Sequence, residues 1–315
     1  MQNKTQKGLK AVQATAREAL TSSHLPMHAW TALTNSLRCG EDWHLYYSAD
    51  GAPKAVPYTC GRKFCPSCLS RWSDALKARL LPVAQKQPPT ALRHLVLTVP
   101  NARSSELPAA QSQLYKSWRQ WRCDGRRKKS GHYWQPAGMA WKYEVHWTPE
   151  TGWHPHIHAI IHVPHGLDLA RGSKGREAWH RITARYGRTA ALGPGIHITA
   201  PGSSAAVAEE VAKYAAKPIP LGHLPPSQLA ELAGALHGVR FTGSSGTLAC
   251  PAARSGDSGW TYIGTAGALM ASTNMTVAAD AIEHLVAAVP YRALSRRWKA
   301  MLAPLYPIES EKDEP

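Results

Sequence analysis

His154-Pro-His156-Ile-His158-Ala-Ile-Ile-His162, read with the run Met139 to Trp147 before it, decides the fold. The four histidines are spaced by even numbers, and on a strand such positions share one face. Met139 to Trp147 and Trp153 to Val163 are strand candidates joined by Thr148-Pro-Glu-Thr-Gly152, a turn-forming composition, so they predict a hairpin. With the turn centred near Glu150, Glu144 falls opposite His156 and His146 opposite His154. Neutral imidazoles two apart on a rigid strand can chelate one divalent ion with little reorganisation. His156 and His158 are therefore candidate metal ligands, and Glu144 is the third through its place across the hairpin. His154 and His162 alone would not make a site. A mixed nitrogen and oxygen set suits manganese or magnesium as well as zinc.

Outward from the hairpin, His94-Leu-Val-Leu-Thr98-Val-Pro100 reads as a buried central strand, followed by a helix containing Trp118 and Trp121. Another helix is expected from about Ser204 to Lys217, capped by Ser203 or Ser204 and stopped by Pro218. Leu229, Leu232, Ala233 and Leu236 mark an amphipathic helix, and further helical pieces cover Ala278 to Val289 and Leu294 to Leu302. The glycine- and serine-rich stretches Gly243 to Gly246 and Arg254 to Gly259 read as loops. Together these elements make an α+β chain. Its expected segments are a basic N-terminal lead-in (1–35), a small cysteine module (36–85), a main domain (90–248) and a helical C-terminal region (249–315).

Cys60-Gly-Arg-Lys-Phe-Cys65-Pro-Ser-Cys68 contains a C-x-x-C pair with a third cysteine five residues upstream, and Cys39 offers a fourth thiolate. Four thiolates make a closed tetrahedral zinc site, which stabilises a module too small to fold on its core alone. Cys39, Cys60, Cys65 and Cys68 are thus expected to hold structural Zn2+; Cys123 and Cys250 read as plain thiols. Arg62, Lys63 and Arg71 beside them are candidates for phosphate contacts.

In Glu209-Glu210-Val-Ala-Lys213-Tyr214-Ala-Ala-Lys217, helical spacing puts Glu210, Tyr214 and Lys217 on one face. A phenol has a pKa near 10. It attacks at neutral pH only when a cation or metal stabilises the phenolate. By itself this pattern more often describes a surface ion pair beside a packed tyrosine.

The 315 residues are 43% hydrophobic, ample for a core, and carry a net charge of +16. A field this positive favours a polyanionic partner, nucleic acid first. The basic run Arg126-Arg127-Lys128-Lys129 is a candidate DNA contact. No apolar stretch approaches the roughly 18 residues that span a bilayer, and no secretory signal opens the chain, so a cytoplasmic, membrane-free protein is expected.

Three motifs in order, His94-Leu-Val-Leu-Thr98-Val-Pro-Asn101, His154-Pro-His156-Ile-His158 and Glu210-Val-Ala-Lys-Tyr214-Ala-Ala-Lys217, make the chain from about Cys39 to Leu248 resemble the replication initiators of small rolling-circle plasmids, within the HUH endonucleases. The resemblance implies a central antiparallel sheet with flanking helices. It also implies a single catalytic tyrosine, Tyr214, beside a Mn2+ or Mg2+ ion on His156 and His158. The implied reaction nicks and rejoins one DNA strand through a 5′-phosphotyrosine link and a free 3′-hydroxyl. Glu210 would activate water or a DNA hydroxyl to end the cycle. Implied partners are single-stranded or hairpin plasmid origin DNA and a host helicase and polymerase in a bacterial cytoplasm. Two other readings fit parts of the pattern: a histidine-triad nucleotide hydrolase, which needs neither metal nor tyrosine, and a non-enzymatic zinc-module DNA-binding regulator.

Overall fold

The computed structural model describes residues 2–21, 24–124, 136–163, 174–186, 195–200, 203, 206, 224–250, 260–271, 275–289 and 296–302. The chain forms two compact units, one of residues 1–34 and 62–252, the other of residues 35–61 and 253–315.

The larger unit is built on a five-stranded antiparallel sheet. Its strands are β3 (Leu92–Thr98), β4 (Gly138–Thr148), β5 (Gly152–His162), β6 (Ile196–Thr199) and β7 (Thr242–Gly246), in the spatial order β6-β3-β5-β4-β7. The histidine strand β5 is therefore central, paired on one side with β3 and on the other with β4. The hairpin register is the expected one: Glu144 lies opposite His156 and His146 opposite His154. The turn closes at Gly152, whose φ of +73° and 2.3 Å approach of an added Cβ to the Ala102 carbonyl leave room only for glycine.

Alternation along these strands separates two faces. One carries Leu95, Leu97, Tyr143, Val145, Ile157, Ala159 and Ile161, all buried. Helix α4 (Leu107–Asp124) packs against β5 and against α5 (Lys174–Arg185), bringing Trp118, Trp121 and Trp179 into this core. The opposite face carries Leu92, His94, Val96, Thr98, Ala140, Lys142, Glu144, His156, His158 and Ile160. Helix α3 (Pro66–Ala84) covers only one end of it, where Leu80 and Ala84 meet Leu92, Ala140 and Ile160. The polar end is left for chemistry. Helices α1 (Gln2–Ala19) and α6 (Pro226–Ala235) pack together in the same unit, and Glu231 of α6 accepts from Leu107 N–H (2.9 Å) and Trp153 Nε1–H (2.8 Å).

One local expectation fails. Gly243 to Gly246 is not a loop but part of β7, an edge strand on β4. Its glycine has a packing reason: a Cβ on Gly243 would sit 2.5 Å from Trp141 Nε1, so the indole lies directly on the strand backbone.

In the smaller unit, β1 (Trp43–Ser48) is the middle of a three-stranded antiparallel sheet between β2 (Pro53–Pro57) and β8 (Trp260–Thr265). The buried face of that sheet packs Trp43 and Leu45 against α7 (Ala266–Met270), α8 (Met275–Ala288) and α9 (Arg296–Leu302), through Ala266, Leu285 and Trp298 among others. Trp298 Nε1–H donates to the Glu41 carbonyl at 2.6 Å, tying α9 to the start of β1.

Candidate metal centre

On the polar end of the large sheet, Glu144 Oε2 lies 3.3 Å from His156 Nε2 and 3.3 Å from His158 Nε2. The ligand atoms of the three residues all lie within 4.8 Å of one another. For metal bonds of about 2.1 Å, donors sharing one ion sit roughly 3.0–3.4 Å apart, so this spacing fits a bound cation.

The outer nitrogens argue the same way. His156 Nδ1 lies 3.1 Å from the His154 carbonyl, which can only accept, so Nδ1 carries the proton. Nε2 of the neutral ring is then a lone pair aimed at a carboxylate, an arrangement that needs a cation between them. His158 Nδ1 is held at 3.2 Å by His94 Nε2, and His94 Nδ1 in turn meets Thr199 Oγ1 at 3.3 Å. Partners on the far nitrogen are how metal-binding imidazoles are oriented.

Charge states are preset as well. Burial would raise the Glu144 carboxyl, but the neighbouring His146, His156 and His158 side chains override it and hold the group well below the usual carboxylate range. Burial pulls His156 below the usual imidazole value despite its contact with Glu144. An ionised carboxylate and a neutral imidazole are what a divalent ion requires.

Two neighbours complete the surroundings. Lys142, 3% exposed, places Nζ 3.6 Å from Glu144 Oε1, and burial lowers its pKa. His146 Nε2 is 3.8 Å from Glu144 Oε2, and its ring stacks on His156 at 5.2 Å. Lys142, Glu144 and His146 repeat the even spacing of the histidines on β5, and that was the signal by which Lys142 could have been found. His154, at the margin, binds Asn101 Oδ1 at 2.6 Å, and His162, at the far end, binds Thr247 Oγ1 at 2.7 Å. A cavity of about 560 Å3 lined by Pro26, His28, Gln111, Tyr115 and Gly234 includes none of these site residues.

The four cysteines of the expected zinc module are all buried, and none is in a disulfide. Cys123 is exposed and Cys250 half-buried, both free. Lys63, half-buried, has its pKa lowered by burial. The expected nucleophile Tyr214 with Glu210 and Lys217 lies outside the described residues, and so does the run Arg126, Arg127, Lys128 and Lys129.

A family model described as replication protein (Rep_1) matches residues 54–255, which include every strand of the large sheet. The chain belongs to that family. It is the rolling-circle plasmid Rep family, and membership makes this chain a plasmid replication initiator that binds plasmid origin DNA. It also sets aside the histidine-triad alternative. Comparison with curated proteins and with solved structures gives no match. Among the described residues, no helix of this initiator is long and apolar enough to cross a membrane.

Proposed function

We propose that this initiator nicks and rejoins one strand of plasmid origin DNA, with Tyr214 as nucleophile and Glu144, His156 and His158 holding a divalent ion. The observation that carries the reading is the convergence of those three ligand atoms on the polar end of the sheet, both histidines turned by partners on Nδ1. An Mn2+ or Mg2+ ion bound there would polarise a non-bridging oxygen of the scissile phosphate. The chain's own residues do the rest. The Tyr214 phenolate oxygen forms the bond to phosphorus, and the bond to the 3′ oxygen breaks. That oxygen leaves as a 3′-hydroxyl after taking a proton, and the 5′ phosphate stays on the tyrosine. Lys217, three residues on in the sequence, stabilises the phenolate, and Glu210 takes a proton from the water or DNA hydroxyl that later releases the phosphotyrosine. Lys142, buried beside Glu144, offsets the carboxylate's charge on the side away from the histidines.

The same reading gives Cys39, Cys60, Cys65 and Cys68 a structural Zn2+, the run Arg126 to Lys129 contacts to DNA phosphates, and the free 3′ end to a host polymerase and helicase in a bacterial cytoplasm.

The experiment is covalent capture. Incubated with Mn2+ and a pool of single-stranded oligonucleotides, the protein is expected to leave a denaturant-resistant adduct that Tyr214→Phe and His156→Ala both abolish. An adduct that persists in Tyr214→Phe refutes the nucleophile; one that persists in EDTA refutes the metal.

A further inference from the structure

The outward face of the small sheet is the surface whose composition has no structural explanation. Across β1, cross-strand register sets His44 beside Val56, Tyr46 beside Lys54 and Tyr262, and Ser48 beside Trp260. These residues point away from Trp43, Leu45 and Ala55, which face the helices. An outward face normally carries small polar or charged residues. This one carries a continuous aromatic row: His44 is 5.2 Å from Tyr58 and 5.5 Å from Tyr262, and Tyr262 is 5.3 Å from Tyr46. Tyr262 is 52% exposed, and the extra residue at the β8 bulge, Ile263, is 37% exposed.

Cations border the row. Lys54 Nζ sits 4.8 Å above the Trp260 ring, and the Arg38 guanidinium sits 5.2 Å above Tyr58. The nearest buried carboxylate, Asp42, is taken up by Arg38 and by the N–H groups of Trp43 and Gly267. Asp50, in the β1–β2 turn, is hydrogen-bonded by Ser48.

We infer that this sheet face binds single-stranded nucleic acid, its bases stacking on Tyr46, Tyr58 and Tyr262 and its phosphates meeting Lys54 and Arg38. The chemistry selects that partner. Every base offers a π face to an exposed aromatic ring, whereas in a duplex those faces are already stacked. The cations and the chain's charge of +16 complement a polyanion. Most of this unit, Tyr46 and Tyr262 included, lies outside residues 54–255. The inference takes its DNA probe from the nicking reading but uses none of the metal-site residues.

The test measures anisotropy of a fluorescent twenty-nucleotide (dT) strand with the full chain in buffer without added divalent metal. Changing both Tyr46 and Tyr262 to Ser is expected to weaken binding about ten-fold or more, and Lys54→Ala to flatten its salt dependence. A failed nicking assay alongside normal dependence of (dT) binding on Tyr46 and Tyr262 sinks only the nicking reading. Photo-crosslinking of 5-iododeoxyuridine strands to the wild type should label residues in 44–58 or 260–263, which decides the matter even if the double variant fails to fold. Wild-type affinity in a folded double variant, labels confined elsewhere, equal use of the face by a twenty-base-pair duplex, or loss of a self-dimer without loss of (dT) binding would each overturn the inference.

Discussion

Replacing His94 by Phe tests whether the metal site is organised from behind. His94 reaches none of the converging ligand atoms itself; it stacks on His158 with ring centroids 5.5 Å apart and meets that ring's Nδ1 at 3.2 Å. If His158 binds through Nε2, its Nδ1 must carry the proton, and His94 Nε2 accepts it while Nδ1 of His94 donates to Thr199 Oγ1. Phenylalanine keeps the stacked shape and removes the acceptor. One hydrogen bond of this kind is worth about 1 kcal/mol net, and the His158 side chain is only 18% exposed, so part of the desolvation cost of a stranded N–H, about 1–3 kcal/mol, is added. The sum, roughly 1.5–3 kcal/mol, is a 10- to 100-fold weaker metal, the range seen when such outer partners are removed. Calorimetric titration with Mn2+ measures it without any DNA, and His94→Gln, whose amide oxygen can still accept, should recover part of the loss. Unchanged Mn2+ affinity in His94→Phe would refute the reasoning, and tighter binding would show that His94 competes with the metal for His158.

The metal-free protein should lose stability on acidification in two stages. His154, His156 and His162 have pKa values lowered by burial, so they are neutral when folded but protonate in the unfolded chain below about pH 6.5; each contributes a slope of at most about 1.4 kcal/mol per pH unit, downward as pH falls. The depressed Glu144 carboxyl adds stability present above its unfolded value, about 4.3, and lost below it, so chemical-denaturation midpoints that stay flat from pH 7 to 3 would contradict both shifts. Elemental analysis should find about one zinc per chain, absent when Cys65 and Cys68 are both changed to Ser; a wild-type protein purified without zinc would dismiss the module. Gly243→Ala pushes a methyl against the Trp141 indole and should cost about 1–3 kcal/mol in thermal unfolding, with Mn2+ affinity kept. Glu231→Ala removes the acceptor of two N–H donors, one of them on the buried Trp153, and should cost about 2–4 kcal/mol; a change below about 0.5 kcal/mol would mean α6 is held by packing alone.

The clustering of Glu144, His156 and His158 was legible because every step from residue to site was short-range. Period-two spacing fixed the face of β5, one turn with Gly152 fixed the register of β4, and together they put Glu144 across from His156 with no long-range knowledge. The cysteines were readable for a similar reason, since three of the four lie within nine residues. What sequence alone could not provide was pairing between distant segments. Trp260 to Thr265 joins β1 from more than 200 residues away, so the chain from 35 to 61 folds with the C-terminal region, a grouping that no local signal in the sequence reveals. The same long reach hid His94, which meets His158 only because β3 pairs with β5 in a register set by tertiary packing. It also hid β7, whose Gly-Ser composition has low strand propensity and is held in the sheet by the Trp141 indole and the β4 ladder. Residues whose chemistry depends on a neighbour in the same hairpin can thus be named from sequence. Those that act by holding a ligand from the next strand, such as His94, or by lining up across a three-stranded sheet, such as His44, Tyr46 and Tyr262, become visible only when the register is known. That division explains why the centre itself was readable while its support and the aromatic face were not.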